Sequence, residues 1–124
     1  MSSDGKILEH DQLKLEIMEG TNDINIKWLG KSIDRDPSKF LNPVLKDLLD
    51  SANTGKKSVM LDFRGLEYMN SSTITPIVHI LAQMGSEVPS VTLLYNKQLR
   101  WQDISFSALK IFKVKDSRVE VRGE

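Results

Sequence analysis

The residues best suited to chemistry are four small polar side chains in a row, Asn70-Ser71-Ser72-Thr73, which precede an apolar helical pattern. Such side chains are favoured where a helix begins, because backbone N–H groups there lack partners. The aligned peptide dipoles add partial positive charge, so a phosphate on a hydroxyl would meet ready donors. It would also add about two negative charges to the surface. The cluster is therefore a candidate phosphorylation switch, although helix capping alone explains the same residues.

Pro76 constrains where this helix begins, because proline lacks an N–H and fits best within the first turn. That places the cap at Ser72 or Thr73 and leaves Ser71 on the exposed lip of the loop. The alternative is a helix that begins earlier and is distorted at Pro76. If the cluster is a switch and the cap is Ser72 or Thr73, Ser71 is the exposed hydroxyl, and Ser72 is the cap or a secondary acceptor. The predicted partner-binding residues are Asp62, Met69, Asn70, Ser71, Ser72, Thr73 and Thr75.

The elements that must position this cluster follow from the hydrophobic periodicity. Apolar residues alternate in some segments and recur every three to four positions in others. The predicted order is β-β-α-β-α-β-α-β, near residues 13–17, 24–28, 41–49, 59–63, 74–81, 91–95, 101–112 and 119–121. The first two strands form a hairpin, and strands joined through helices pair in parallel with right-handed crossovers. The fold class is therefore α/β, with helices packed against one mixed sheet.

Composition limits the function further. The 124 residues suit a single domain spanning 1–124, in which the polar residues 1–11 are expected to be loose. Seventeen basic and seventeen acidic residues cancel, so the basic excess of a nucleic-acid binder is missing. The sequence has no cysteine and no apolar run of about 20 residues, and its first residues, Met-Ser-Ser-Asp-Gly-Lys, lack the apolar stretch typical of a signal peptide. We expect a cytoplasmic protein with neither a nucleic-acid nor a membrane partner.

Candidates for catalysis or metal binding are weak. His10 and His79 are the only histidines, and a metal site usually needs three or four ligands. Asp62 ends a central strand and either orients the Ser71 region or hydrogen bonds to loop amides. No nucleophile motif, carboxylate pair or phosphate-binding glycine loop is present. We expect no enzymatic activity and no cofactor or metal.

A second polar stretch follows the fourth predicted strand. Lys97 and Arg100 could meet an anionic partner, and Trp101 could anchor an interface. The periodicity favours the simpler interpretation, in which Trp101 belongs to the core and the charged residues form a solvated face.

The segment 61–74 resembles the hallmark segment of STAS domains. It reads Leu-Asp-Phe, then Leu66, then Tyr68-Met69-Asn70-Ser71-Ser72-Thr73-Ile74. In bacterial anti-anti-sigma factors the corresponding segment is a hydrophobic strand ending in Asp, a short loop, and Asp-Ser-Ser/Thr-Gly-Leu at a helix start. The order and spacing of elements resemble that family from about residue 13 to 121. The chain departs from it at two positions, where Asn70 replaces the usual Asp and Thr73 the usual Gly. The Asn-hydroxyl-Ser form is similar to biofilm-signalling regulators of the SiaC type.

The resemblance implies a partner-switching module. It implies that Ser71 is phosphorylated by a kinase of the GHKL type, which resembles an anti-sigma factor, and dephosphorylated by a PP2C-type phosphatase. The unphosphorylated form would bind its target, and a diguanylate cyclase is a possible output. Asn70 and Thr73 also leave open a STAS scaffold without phosphorylation, within a stressosome-like or lipid-transport-like assembly. A nucleotide-binding STAS domain is a third possibility.

Overall fold

The fold is built on one seven-stranded sheet, seen in a computed structural model that describes residues 4–124. The strands are β1 Asp4–His10, β2 Leu13–Glu19, β3 Asp23–Ser32, β4 Ser58–Asp62, β5 Leu66–Met69, β6 Val91–Tyr95 and β7 Val119–Gly123. The helices are α1 Ser38–Gly55, α2 Ile74–Ala82, α3 Arg100–Ser107 and α4 Phe112–Lys115, and 3₁₀ turns cover Ser71–Thr73 and Ala108–Ile111.

The sheet is mixed, as the sequence predicts. Its order is β1-β2-β3-β4-β6-β7. The first three strands pair antiparallel, and β3, β4, β6 and β7 pair in parallel. The short strand β5 continues along the edge of β3 beyond the end of β4, also in parallel. This arrangement brings the residues just after β3 next to those just after β5.

The N-terminal segment corrects one expectation. Residues 1–11 were predicted to be loose, but residues 4–10 form β1, a complete edge strand paired with β2 from Asp4↔Glu19 to His10↔Leu13. Residues 1–3 lie outside the described part of the chain. The polar composition misled the prediction, because an edge strand has one neighbour and can expose most of its side chains.

Helices α1 and α2 pack on the sheet with the apolar stripes that the sequence indicates. Leu45 and Leu49 of α1 and Ile77 and Leu81 of α2 are buried. Helix α1 begins at Ser38, directly after Pro37, and Pro43 lies in its second turn. The latter placement costs the backbone hydrogen bond that a residue with an N–H would donate.

The third predicted helix differs most. It is a helical run from 100 to 115, in which a 3₁₀ turn joins α3 to α4. Its buried face is formed by Gln102, Phe106 and Leu109. Ile104 follows Trp101 at helical spacing, a pattern that predicts burial on the same stripe, but Ile104 is 64% exposed. No helix in residues 4–124 is both long and apolar enough to cross a membrane.

Candidate functional site

The polar cluster is held where β3 and β5 end side by side. Ser32 pairs with Met69, and the Asn70 amide donates to the Ser32 carbonyl at 3.0 Å. The chain then turns directly into the 3₁₀ turn and helix α2. The position of the cluster is therefore fixed by strand pairing and not by a free loop.

Asn70 caps the helical run. Its Oδ1 accepts from the Thr73 amide at 3.1 Å and from the Thr73 hydroxyl at 2.8 Å. The prediction that Ser72 or Thr73 is the cap is confirmed for the α-helix, which begins at Ile74 directly after Thr73, although Thr73 makes no side-chain cap hydrogen bond. The 3₁₀ turn before it begins earlier, and there Asn70 is the cap. Pro76 is tolerated because the first turn is a 3₁₀ turn and the α-helix begins only at Ile74.

Thr73 lies inside the protein, with no exposed surface. Its hydroxyl lies 2.7 Å from the Ser32 hydroxyl and is also bonded to Asn70, so its polar group is fully used. The prediction that Thr73 contacts a partner does not fit this position, and Met69 is buried as well. Thr73 and Met69 are therefore buried residues that support the turn from the interior of the protein.

The side-chain amide of Asn70 has a further role that an aspartate side chain could not take. Its Nδ2 donates to the backbone carbonyl of Asp34 at 2.7 Å. A carboxylate only accepts hydrogen bonds, so aspartate would set two acceptors against each other. The departure from the usual Asp therefore has a structural reason in this chain.

The outward side of the same turn carries three exposed hydroxyl side chains, those of Ser71, Ser72 and Thr75. Within the described residues, the Ser71 hydroxyl has no hydrogen-bond partner. At the ends of the two strands that hold the turn, Tyr68 and Ile33 have side chains 49% and 39% exposed. These five residues are called the switch face below.

Ile33 lies outside the predicted binding surface, whereas Tyr68 lies within the predicted 66–76 loop but was not named as a binding residue. Ser32 and Asp34, which support the turn, were not named either. A signal for the β3 residues was present, since polar residues directly after a strand often meet those after the neighbouring parallel strand.

Asp62 does not orient Ser71. Its carboxylate accepts from the Arg64 amide, Nε and the terminal Nη2, each at 3.0 Å. Burial raises the pKa of Asp62, but these hydrogen bonds and the charge of Arg64 outweigh burial and lower it. The loop-amide interpretation of Asp62 is therefore the correct one, and its place on a binding surface finds no support.

His10 lies next to Asp34, whose backbone carbonyl accepts the hydrogen bond from Asn70. Its Nε2 is 2.7 Å from the Asp34 carboxylate and 3.6 Å from that of Asp11, and its ring stacks on Phe40. A hydrogen bond from the Asp36 amide, followed by one from His10, lowers the pKa of Asp34. One potential ligand atom from each of His10, Asp11 and Asp34 lies within 4.8 Å of the others, a spacing that a metal ion would also accept. The hydrogen bond from His10 to Asp34 explains the arrangement without one.

The remaining candidates make no hydrogen bond to the polar cluster within the described residues. His79 is exposed in the last turn of α2. Trp101 is partly buried against Phe106, with ring centroids 6.4 Å apart, which fits the core interpretation. Lys97 and Arg100 are exposed at the start of α3.

Comparison with known proteins identifies the family. The model of the SiaC family regulatory phosphoproteins matches residues 11–92, more than half of the chain. No curated protein matches the chain.

Solved structures share the fold. SiaC of Pseudomonas aeruginosa, in complex with the diguanylate cyclase SiaD that it activates, is 17% identical with a TM-score of 0.62, over 94% of this chain and 99% of that chain. Apo-SiaC from the same organism gives 17% identity and a TM-score of 0.62, over 97% and 99%. An anti-sigma factor antagonist from Mycobacterium paratuberculosis gives 14% and 0.50, over 89% and 81%.

Proposed function

The chain belongs to the SiaC family of regulatory phosphoproteins, and from that premise we propose that it is a non-enzymatic partner-switching protein controlled by phosphorylation of Ser71. The observation that carries the proposal is the position of that hydroxyl. Ser71 is exposed and unbonded within the described residues, between Asn70 and Thr73, which are tied to β3. A kinase can reach it without unfolding the turn.

The switch would work through charge. Phosphoryl transfer from ATP to the Ser71 hydroxyl adds about two negative charges beside Ser72 and Thr75. The Thr73 amide is already bonded to Asn70, but the amides of Ser71 and Ser72 have no carbonyl partner within the helical run and would stabilise the phosphate. A partner that docks over Tyr68 and Ile33 must then bury or repel a dianion, which weakens binding.

One proposed partner is supported by a solved relative, and two are implied by the sequence resemblance alone. The proposed target is a diguanylate cyclase, because P. aeruginosa SiaC is an activator bound to the cyclase SiaD. The proposed kinase is of the GHKL type, and the proposed phosphatase is of the PP2C type. The unphosphorylated form binds the cyclase, and phosphorylation releases it.

The proposal is tested with Ser71→Ala and Ser71→Asp in the full chain. We expect Ser71→Ala to resist the kinase and to bind the cyclase of the same host like the unmodified protein. Ser71→Asp should weaken binding by at least about tenfold, since burying an uncompensated charge costs more than 1.4 kcal/mol. Isothermal titration calorimetry measures the affinities, and intact mass of protein from the native host reports the phosphate.

The control is Ser51→Asp, which adds the same charge to an exposed serine on α1. It should leave the affinity unchanged. The proposal is wrong if both aspartate variants bind the cyclase equally well, or if the phosphate of the native protein resides on a residue other than Ser71 or Ser72.

A further inference from the structure

The outer side of residues 97–115 is unusually apolar for an exposed helical surface. Ile104, Ile111 and Val114 are 64%, 60% and 86% exposed. They recur at intervals of seven and three residues along the helical run, which places them along its outer side. Contiguous exposed apolar side chains on a soluble domain commonly mark a contact surface. We call this stripe, with the cations beside it, the C-terminal helical face.

The cations beside the stripe form a second, independent feature. They are Lys97, Arg100, Lys110, Lys113 and Lys115, all exposed. Only one acidic residue, Asp103, lies between residues 97 and 115. The whole chain is neutral, so this surface carries a local excess that the rest of the molecule balances.

These cations also lack acidic partners. Elsewhere in residues 4–124 some cations, such as Lys46 and Arg118, form ion pairs with carboxylates, and others, such as Lys39, do not. Across residues 4–124, none of the five cations of the C-terminal helical face forms an ion pair. Their charge is therefore available to an anionic partner.

We propose that the C-terminal helical face binds the surface of an anionic phospholipid bilayer. An aliphatic stripe flanked by lysines is the pattern of helices that lie in a membrane interface, where the apolar side enters the headgroup region and the cations meet lipid phosphates. Protein interfaces are depleted in lysine and enriched in aromatic side chains, which this stripe lacks. The expectation of no membrane partner was based only on the lack of a membrane-spanning segment, and a helical face that lies on the bilayer surface needs no such segment.

The lipid-binding proposal does not depend on the switch at Ser71. The stripe and its cations come from α3, α4, the turn between them and Lys97 just before α3. The switch face comes from β5, Ile33 just after β3, the 3₁₀ turn and the start of α2. One protein could therefore hold a cyclase through one surface while the other places it at a membrane.

Co-sedimentation of the full chain with vesicles tests the proposal. We expect binding to vesicles of equal parts phosphatidylglycerol and phosphatidylcholine, and little binding to vesicles of phosphatidylcholine alone. Binding to the anionic vesicles should weaken in about 0.5 M salt, because salt screens the attraction between the lysines and the lipid phosphates. Each lysine near an anionic surface contributes about fivefold to partitioning, so Lys113→Glu with Lys115→Glu should reduce it by about 25-fold or more. Ile111→Ser with Val114→Ser should also reduce it, without a change in charge.

The matched control is Lys46→Glu with Lys56→Glu, which makes the same change in net charge at exposed positions on and just after α1. It should keep partitioning within about twofold, since charges beyond a Debye length are screened. Equal losses in the two lysine pairs would overturn the proposal, because net charge alone would then explain binding. So would absence of binding to the anionic vesicles, which would leave the face to an acidic protein partner.

Discussion

The four polar residues at the start of α2 form two pairs with opposite surroundings. Asn70 and Thr73 face the sheet and share hydrogen bonds with each other and with β3, whereas Ser71 and Ser72 face solvent. Positions three apart lie on the same side of a 3₁₀ turn, so the first and fourth residues turn inward together. Similar side chains thus divide into a buried support and an exposed acceptor. This division predicts that the inner pair governs stability and the outer pair governs binding.

Removal of Asn70 should have the largest effect on stability. Asn70→Ala deletes the cap and three side-chain hydrogen bonds, and we expect the free energy of unfolding to fall by about 2 kcal/mol. Urea denaturation measures the loss. Ser71→Ala, the outer counterpart, should change it by less than about 0.5 kcal/mol. Equal losses for the two variants would mean that the inner and outer positions do not differ.

Thr73→Val should have the next largest effect. The substitution keeps the shape but leaves the Ser32 hydroxyl without its partner at 2.7 Å, and we expect a loss of about 1.5 kcal/mol. Adding Ser32→Ala removes the unpaired group as well, so the double variant should lose less than the sum of the single variants. Additive losses in urea denaturation would show that the two hydroxyls do not interact.

The smallest expected effect on stability comes from protonation of Asp34 at acidic pH. The pKa of Asp34 is lowered by its hydrogen bonds to the Asp36 amide and His10, so the folded state binds the proton less tightly than the unfolded state. The stabilisation is present above the ordinary pKa of aspartate and disappears as the pH falls through the lowered value. The melting temperature of the wild type should exceed that of Asp34→Asn at pH 6, and the difference should shrink towards pH 2.

If the difference in melting temperature between the wild type and Asp34→Asn stayed constant across this pH range, protonation of Asp34 would not be the cause of the pH dependence. Asp34→Asn keeps the backbone carbonyl that accepts from Asn70, so the variant tests only the carboxylate.

Part of this division could be predicted from the sequence. Pro76 and the run of polar residues indicated that Ser71 lies on an exposed lip, and Ser71 is exposed. The cap could not be assigned, because Asn70, Ser72 and Thr73 are all favoured caps and Pro76 is compatible with more than one start. Only contact with β3 separates these candidates.

The site residues that lie outside the hallmark segment were harder to find. Ser32 and Asp34 are 41 and 36 residues from their partners Thr73 and Asn70. Asp62 ends a central strand as predicted, yet its hydrogen bonds go to Arg64, two residues away. The local sequence pattern was enough to locate Asp62 at the strand end, but only the geometry of the loop determines that Arg64 is its hydrogen-bond partner.

The sequence by itself determined the alternating order of strands and helices, the mixed sheet and the position of the hydroxyl cluster, because each depends on periodicity or turn chemistry within a few residues. Tertiary structure alone decided that residues 4–10 form an edge strand, that Thr73 is buried and that Ile104 is not. Burial depends on which elements meet. Neither a polar edge strand nor the outer side of a helix with two apolar stripes carries a local signal of what covers it.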